Sequence, residues 1–422
     1  MTEDYEFDNT FLPDETLAQL AETLPTPFYL YDEAGIRDAC RQLRDAFAWE
    51  PGFRQFFPVK ALPNAAILRL LREEGMGVAC SSMPELELVR RCGFSGDEIL
   101  FAANYPLAED IAMAAQLHTG VILDGTCVIE DYAAAGCLPE VVGLRYNPGG
   151  QFQVGLHAIS RQEKMKFGFT RQQIFDAVPQ LQAAGVRAIG LHAYMGGNVT
   201  QPGYYEAVAR MLFRLAADLH RETGVAIAFV NISGGLGLAY RDTETAPDLA
   251  QEAQLVKAAY DDILVPADLG QVQIHTELGR YLTGPHGILV ARVRYIKQTY
   301  RTYLGLDACA ANLMRPMLYD AYHHISLVGK HRCRGREKYE IVGGVPENTD
   351  RMSHDGRLLP HAQVGDLVVI HDVGAHGHSM GYNYAGKLRS AEYLYQTDGT
   401  VRMIRRAETV DDYLQTQLFA EP

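Results

Sequence analysis

Eight short apolar runs, each trailed by a helix-like stretch, constrain this chain more than any other feature. The runs are residues 54–60, 77–82, 99–103, 120–124, 141–147, 189–195, 228–234 and 273–277. Each is rich in β-branched or aromatic residues and ends on polar or small ones. Amphipathic stretches at 65–74, 84–92, 108–117, 171–184, 204–223 and 249–264 lie between them. Strands alternating with helices predict βα units and a parallel sheet. Eight units in about 250 residues suit a (β/α)₈ TIM barrel. The competitor is a doubly wound sheet, which carries a glycine-rich phosphate turn after its first strand. Here Lys60-Ala61-Leu62-Pro63 follows the first run instead. The expected class is therefore an α/β barrel.

The rhythm changes after Gly287. Residues 288–297, 303–307, 323–328, 338–342, 367–371 and 392–396 read as strands, joined by turns with Gly, Asp or Asn and little helix. They predict an all-β C-terminal domain, a barrel or sandwich. An alternating run at 26–32 (TPFYLYD) precedes the βα rhythm and is expected to join that domain. Ahead of it come an acidic arm and a short helix at 14–23; a helix pattern at 35–47 follows. The expected division is 1–32 for arm and strand, 33–285 for the barrel and 286–422 for the β domain.

Bulk properties narrow the function classes. A formal charge of −14 argues against nucleic acid or an anionic membrane as partner. The seven cysteines are scattered without CxxC or Cys/His ligand spacing, so neither a disulfide framework nor a metal site is expected. The amino terminus, MTEDYEFDNT, has no apolar core of a signal peptide, and no apolar run is long enough for a membrane span. These features together fit a reducing cytoplasm.

Barrel chemistry comes from the carboxyl ends of the strands. The first run ends in RQFFPVKALPN (54–64), so Lys60 closes a strand. It is either a solvated surface amine or an amine desolvated at the barrel mouth and able to form a Schiff base. Pro58 inside that run is awkward for a central strand. The other ends offer Cys80-Ser81-Ser82, Arg145-Tyr146-Asn147, His192-Ala193-Tyr194, Ser233-Gly234-Gly235-Leu236-Gly237 and Glu277-Leu278-Gly279-Arg280. His192 and Tyr194, two apart, are expected on one strand face. Each alone has a structural reading. Together they put an amine, a carboxylate, an aromatic and a glycine-rich amide loop on one rim. That suits a planar anionic cofactor held by its phosphate after strands seven and eight. A carboxylate such as Glu277 would keep a pyridine nitrogen protonated. The description is that of pyridoxal phosphate.

From about residue 26 to 413 the chain resembles the fold III pyridoxal-phosphate decarboxylases, whose architecture is alanine racemase-like, and within them diaminopimelate decarboxylase. FPVKALPN resembles the family's cofactor-lysine strand and GLHAYMGGN (190–198) its sixth-strand motif. NISGGLGLAY (231–240) is similar to the phosphate-binding glycine run, and ELGR (277–280) to Glu-x-Gly-Arg. MRPMLYDAYH (314–323) is the most discriminating motif. VGGVPENTD (342–350) and GAHGHSMGYNY (374–384) resemble segments that reach into a partner subunit's site.

The resemblance implies a set of roles. Lys60, Glu277, Glu347 and His376 would be catalytic. Lys60, Arg145, His192, Tyr194, Ser233, Gly234, Gly235, Gly237, Glu277, Gly279, Arg280 and Tyr384 would hold the cofactor. Arg280, Arg315, Tyr319 and Glu347 would bind substrate, the arginines and the tyrosine taking a distal carboxylate; the bland alternative pairs Arg315 with Asp320. A homodimer with shared sites is implied, and the expected reaction is meso-diaminopimelate to L-lysine and carbon dioxide. Three positions depart from the pattern. Ala79 replaces an acid, Tyr194 replaces the histidine that stacks on the cofactor, and Pro346 replaces a proton-donating cysteine, leaving His376 or His378 as candidate acids. Those departures keep open another amino acid, a D-configured one, or a catalytically silent cofactor-binding homologue. A racemase is disfavoured, because Leu62-Pro63-Asn64 does not match the pattern that follows its lysine.

Overall fold

The computed structural model describes residues 11–333, 335–353 and 355–419; most of the expected acidic arm, residues 1–10, lies outside them. β1 (Phe28–Asp32) precedes the barrel in the chain. The barrel strands then follow as β2 (Arg54–Pro58), β3 (Gly77–Cys80), β4 (Ile99–Phe101), β5 (Gly120–Leu123) and β6 (Val141–Arg145). A hairpin of β7 (Gln151–Val154) and β8 (His157–Arg161) comes next, then β9 (Ala188–His192), β10 (Ala226–Asn231) and β11 (Gln273–Thr276). The eight barrel strands are parallel and close in the order β10-β11-β2-β3-β4-β5-β6-β9. They are the eight runs read from the sequence. The hairpin was not expected, because its residues are too short and too polar to stand out.

Local chemistry sets the boundaries. Asn64 ends the turn after β2 and caps the helix Ala65–Glu73, its side chain accepting from Ala66 N. Thr170 and Gln173 form a capping box on the helix Arg171–Ala183, and Asp248 caps Leu249–Ile263. Inside the barrel, Phe56, Ala79, Leu100, Ile122 and Phe229 pack as one layer. Ala79 is thus a filler of the barrel interior. Phe229 takes the room left by Gly190, where a Cβ would overlap its ring.

The β domain adds β12 (Gly287–Gln298), β13 (Thr302–Leu306), β14 (Ile325–Leu327), β15 (Arg336–Val342), β16 (Arg357–Pro360), β17 (Leu367–Ile370), β18 (Ala391–Tyr395) and β19 (Val401–Arg405). With β1 they form a nine-stranded sheet along β16-β15-β13-β12-β1-β18-β19, with β17 branching from β12 and β14 pairing with β17. β1 lies antiparallel to β12 and parallel to β18. Leu17, Phe28, Leu30, Val290, Val369 and Tyr393 pack in its core. Two compact units result. One holds the chain through Ile36, Tyr240–Thr243 and Leu282 onward; the other holds Arg37–Ala239 and Glu244–Tyr281.

Candidate active site

β2 stops at Pro58, two residues short of the expected end, because Val59–Ala61 turn as a 3₁₀ helix. Pro58 therefore ends the strand instead of interrupting it. Backbone pairing of β2 with β11 covers only Arg54 and Gln55. Past that point the Gln55 side chain takes over. It accepts from Leu278 N (3.0 Å) and Thr276 Oγ1 (2.7 Å) and donates to Leu278 O (2.8 Å). The missing N–H of Pro58 thus costs no ladder bond on the β11 side. Gly279 approaches the same turn closely, since a Cβ there would sit 2.7 Å from Pro58 Cγ and 3.0 Å from Ala61 Cβ. The lysine turn and the Glu277–Arg280 loop are neighbours on one rim.

Lys60 is exposed on that turn. A residue beyond the strand end on an open rim keeps water on one side. Its charge is felt by Glu85, a carboxylate that strand-end reading missed. Glu85 lies on the helix Met83–Arg91 and accepts from Ser81 N (2.8 Å) and Oγ (3.1 Å). Burial pushes its carboxyl up, and the Ser81 bonds and the Lys60 charge oppose without cancelling. The signal for it was the Ser82-x-x-Glu85 spacing, which reads as an ordinary capping box.

Strand register aligns the opposite side of the rim. Arg145 pairs with His192 across β6 and β9, and His192 with Asn231 across β9 and β10. Glu277, just past β11, receives a hydrogen bond from Asn231 Nδ2 (2.8 Å) and lies 3.2 Å from His192 Nε2. Burial alone would push the Glu277 carboxyl up; the His192 and Arg145 charges and the Asn231 bond outweigh it and hold it below the usual range. It therefore stays ionised. Arg145 is itself paired with Asp124 (2.9 Å) and lies 4.6 Å from the Phe167 ring centroid. His192 Nδ1 is buried and meets no hydrogen-bonding group among the described residues.

Tyr194 does not share a strand face with His192, contrary to the sequence expectation. β9 ends at His192, and the chain beyond is drawn off by Ser160 Oγ and Gln162 Nε2, which both donate to Met195 O. Tyr194 is consequently 39% exposed on a loop, while His192 is buried at 1%.

The glycine loop turns through left-handed backbone at Ser233 (φ 59°) and Gly235 (φ 105°). Ser233 N donates to Asn231 Oδ1, and Ser233 O accepts from Glu277 N (2.7 Å) and Tyr205 Oη (3.0 Å). Gly235 O accepts from Val199 N (2.8 Å), and Gly237 N donates to Val199 O (2.9 Å). Gly234 lies against the Glu277 carbonyl, with no room for a Cβ. With the Ser233 and Gly235 carbonyls taken by protein donors, and the Ser233 and Gly237 amides donating within the protein, an anion at the loop would meet the amides between them.

The remaining candidates lie in the other unit. Arg315 is buried and Tyr319 exposed at the two ends of the helical turn Arg315–Tyr319. Tyr384 Oη donates to Glu347 Oε1 (2.8 Å), so these two are brought together. His376 is half-buried with a left-handed backbone (φ 57°). His378 is removed as a candidate acid. It is buried, its Nε2 lies 3.0 Å from Ser390 O, and its ring stands edge-on to Tyr29. Burial pushes its pKa down.

Residues 33–284 match the family described as pyridoxal-dependent decarboxylase, pyridoxal binding domain. The chain belongs to this family. The decarboxylase is 40% identical over 397 residues to Protein TabA of Pseudomonas amygdali pv. tabaci, covering 94% of this chain and 92% of that protein. It is 32% identical to diaminopimelate decarboxylase of Methanothermobacter thermautotrophicus, covering 94% and 93%. A crystal structure of diaminopimelate decarboxylase from M. jannaschii in co-complex with L-lysine aligns with a TM-score of 0.87 at 27% identity, covering 96% and 94%. The cofactor of the decarboxylase is pyridoxal phosphate. The rim fits that group: an ionised carboxylate for a ring N–H, a buried imidazole nitrogen without a partner among the described residues, and a glycine loop with its carbonyls turned away.

Proposed function

We propose that this decarboxylase converts meso-diaminopimelate to L-lysine and carbon dioxide, a step of lysine biosynthesis in the cytoplasm. The observation that carries the reading is Arg315 and Tyr319 four apart on one helical turn, which sets a guanidinium and a phenol on one face. That pair suits a distal carboxylate and is hostile to a distal ammonium. The relatives named diaminopimelate decarboxylase support the same substrate.

When bound, pyridoxal phosphate supplies an electron sink for the pair released as the α-carboxylate departs. In this reading Lys60 would hold the cofactor through Nζ. Glu277 would offer an ionised oxygen to the protonated ring nitrogen, and Asn231 and His192 keep Glu277 in place. The amides between Ser233 and Gly237, whose own N–H groups already donate within the protein, would take the phosphate, and Arg145 would add positive charge beside Glu277. Arg315 and Tyr319 would grip the distal carboxylate and so orient the α-carbon. Pro346 has no proton to give, so His376 would return one to Cα. Glu347, His376 and Tyr384 serve the neighbouring copy's site in a homodimer.

The test is carbon dioxide release from a panel of amino acids by the protein loaded with cofactor. Turnover of meso-diaminopimelate with L-lysine formed is expected. Release only from amino acids lacking a second carboxylate, or from none, sinks the reading. Ala79, Tyr194 and Pro346 favour a second reading, in which the substrate is another amino acid with a distal acid or polar group, or a D-configured one. The same panel separates the two.

A further inference from the structure

We infer that His323 is a positioning residue for Arg315, fixing which edge of the guanidinium the substrate's distal carboxylate can use. The inference rests on the proposed role of Arg315.

His323 is fully buried, and both its ring nitrogens are engaged. Nδ1 lies 2.9 Å from the His371 carbonyl oxygen, which can only accept, so Nδ1 carries the proton. Nε2 lies 3.3 Å from Arg315 Nε, which can only donate. A neutral ring protonated at Nδ1 is the one form that satisfies both contacts. The frame around it is stiff. His371 N donates to His324 O (3.0 Å), and β14, which starts two residues after His323, pairs with β17 just ahead of His371. Tyr240 stands edge-on to His323 (5.2 Å, 79°), and its ring centroid lies 5.8 Å from Arg315 Cζ.

The consequence is geometric. A carboxylate can take two parallel bonds from a guanidinium through the Nε–Nη edge or the Nη–Nη edge. With Nε committed to His323, the Nε–Nη edge is closed to the carboxylate. The histidine thereby fixes the plane and the approach direction of the fork, and does so without touching substrate.

The experiment uses the cofactor-loaded enzyme with meso-diaminopimelate as substrate. Two inhibitors are compared: L-lysine, which keeps the distal carboxylate, and 1,5-diaminopentane, which lacks it. His323→Asn keeps a donor for His371 but places no acceptor at Arg315 Nε; His323→Gln extends an amide oxygen toward it. The Asn variant is expected to raise KM and the L-lysine inhibition constant about threefold to tenfold, with kcat and diaminopentane inhibition nearly unchanged. The Gln variant is expected to recover toward wild type. A His323→Asn enzyme that binds like wild type, while Arg315→Leu loses binding, overturns the inference and leaves the proposed function standing. An Arg315→Leu enzyme that binds like wild type overturns the role of Arg315 and this inference with it. If the His323 variants fail to fold, nitrogen NMR of histidine-labelled wild type decides. A ring protonated at Nδ1 alone supports the inference, and a ring protonated at Nε2 overturns it.

Discussion

Glu277 depends on groups that come from other strands. Its carboxylate is nearly buried, and a lone buried charge would be neutralised by taking up a proton. His192, Arg145 and Asn231 prevent this, each from a different strand end. Asn231 has a double role, since its Oδ1 also holds Ser233 N (2.8 Å). Asn231→Asp separates the two roles. It keeps the acceptor for Ser233, removes the donor to Glu277, and adds a like charge. The Glu277 carboxyl then rises. The acidic limb of kcat/KM against pH is expected to move up by about one pH unit, the equivalent of one lost hydrogen bond to a charged group. An unmoved limb would show that Glu277 does not titrate in the profile.

At the scale of elements, the barrel is filled from one strand at the expense of others. Phe229 on β10 reaches into the interior because β9 carries Gly190 where a side chain would collide. His275 stacks on the same ring at 4.6 Å between centroids. Phe229→Ala would leave a void lined by Ile122, Leu100 and Phe56 that these neighbours cannot close. A loss of about 3–5 kcal/mol in unfolding free energy is expected, read from the urea midpoint of the purified protein. A loss below about 1 kcal/mol would mean that the layer repacks.

For the whole molecule, pH pulls stability in opposite directions in the two units. In the barrel unit, burial and then the Arg54 charge hold His275 down at about 3, against an ordinary 6.5. Stability from keeping it neutral is fully present above about pH 6.5 and is lost as pH falls toward about 3. In the other unit, burial pushes Asp372 up to about 7 from 3.8. Its contribution is present below pH 3.8 and is lost as pH rises through about 7. His275→Phe keeps a ring against Phe229 and removes the titration. Its unfolding midpoint relative to wild type is expected to climb as pH drops from 6.5 toward 3. A constant offset would place the His275 titration elsewhere.

The sequence by itself determined the barrel, because alternating apolar runs and amphipathic helices are properties of each segment. It also determined where the lysine, the glycine loop and Glu277 stand, since all lie at strand ends or just past them. Some boundaries were local too: Asn64 caps its helix wherever that helix packs. Tertiary structure decided which of these groups meet. Glu277 finds His192 and Asn231 only because β9, β10 and β11 lie side by side in register, a pairing that no single segment encodes. Tyr194 left the strand because side chains from β8 and the turn after it captured the Met195 carbonyl. Glu85 came to Lys60 from a helix, outside any reading of strand ends. His323, one residue at the end of a motif, became a brace for Arg315 through a carbonyl 48 residues away. Such meetings are set by strand pairing and packing, which fix distances between residues far apart in the chain.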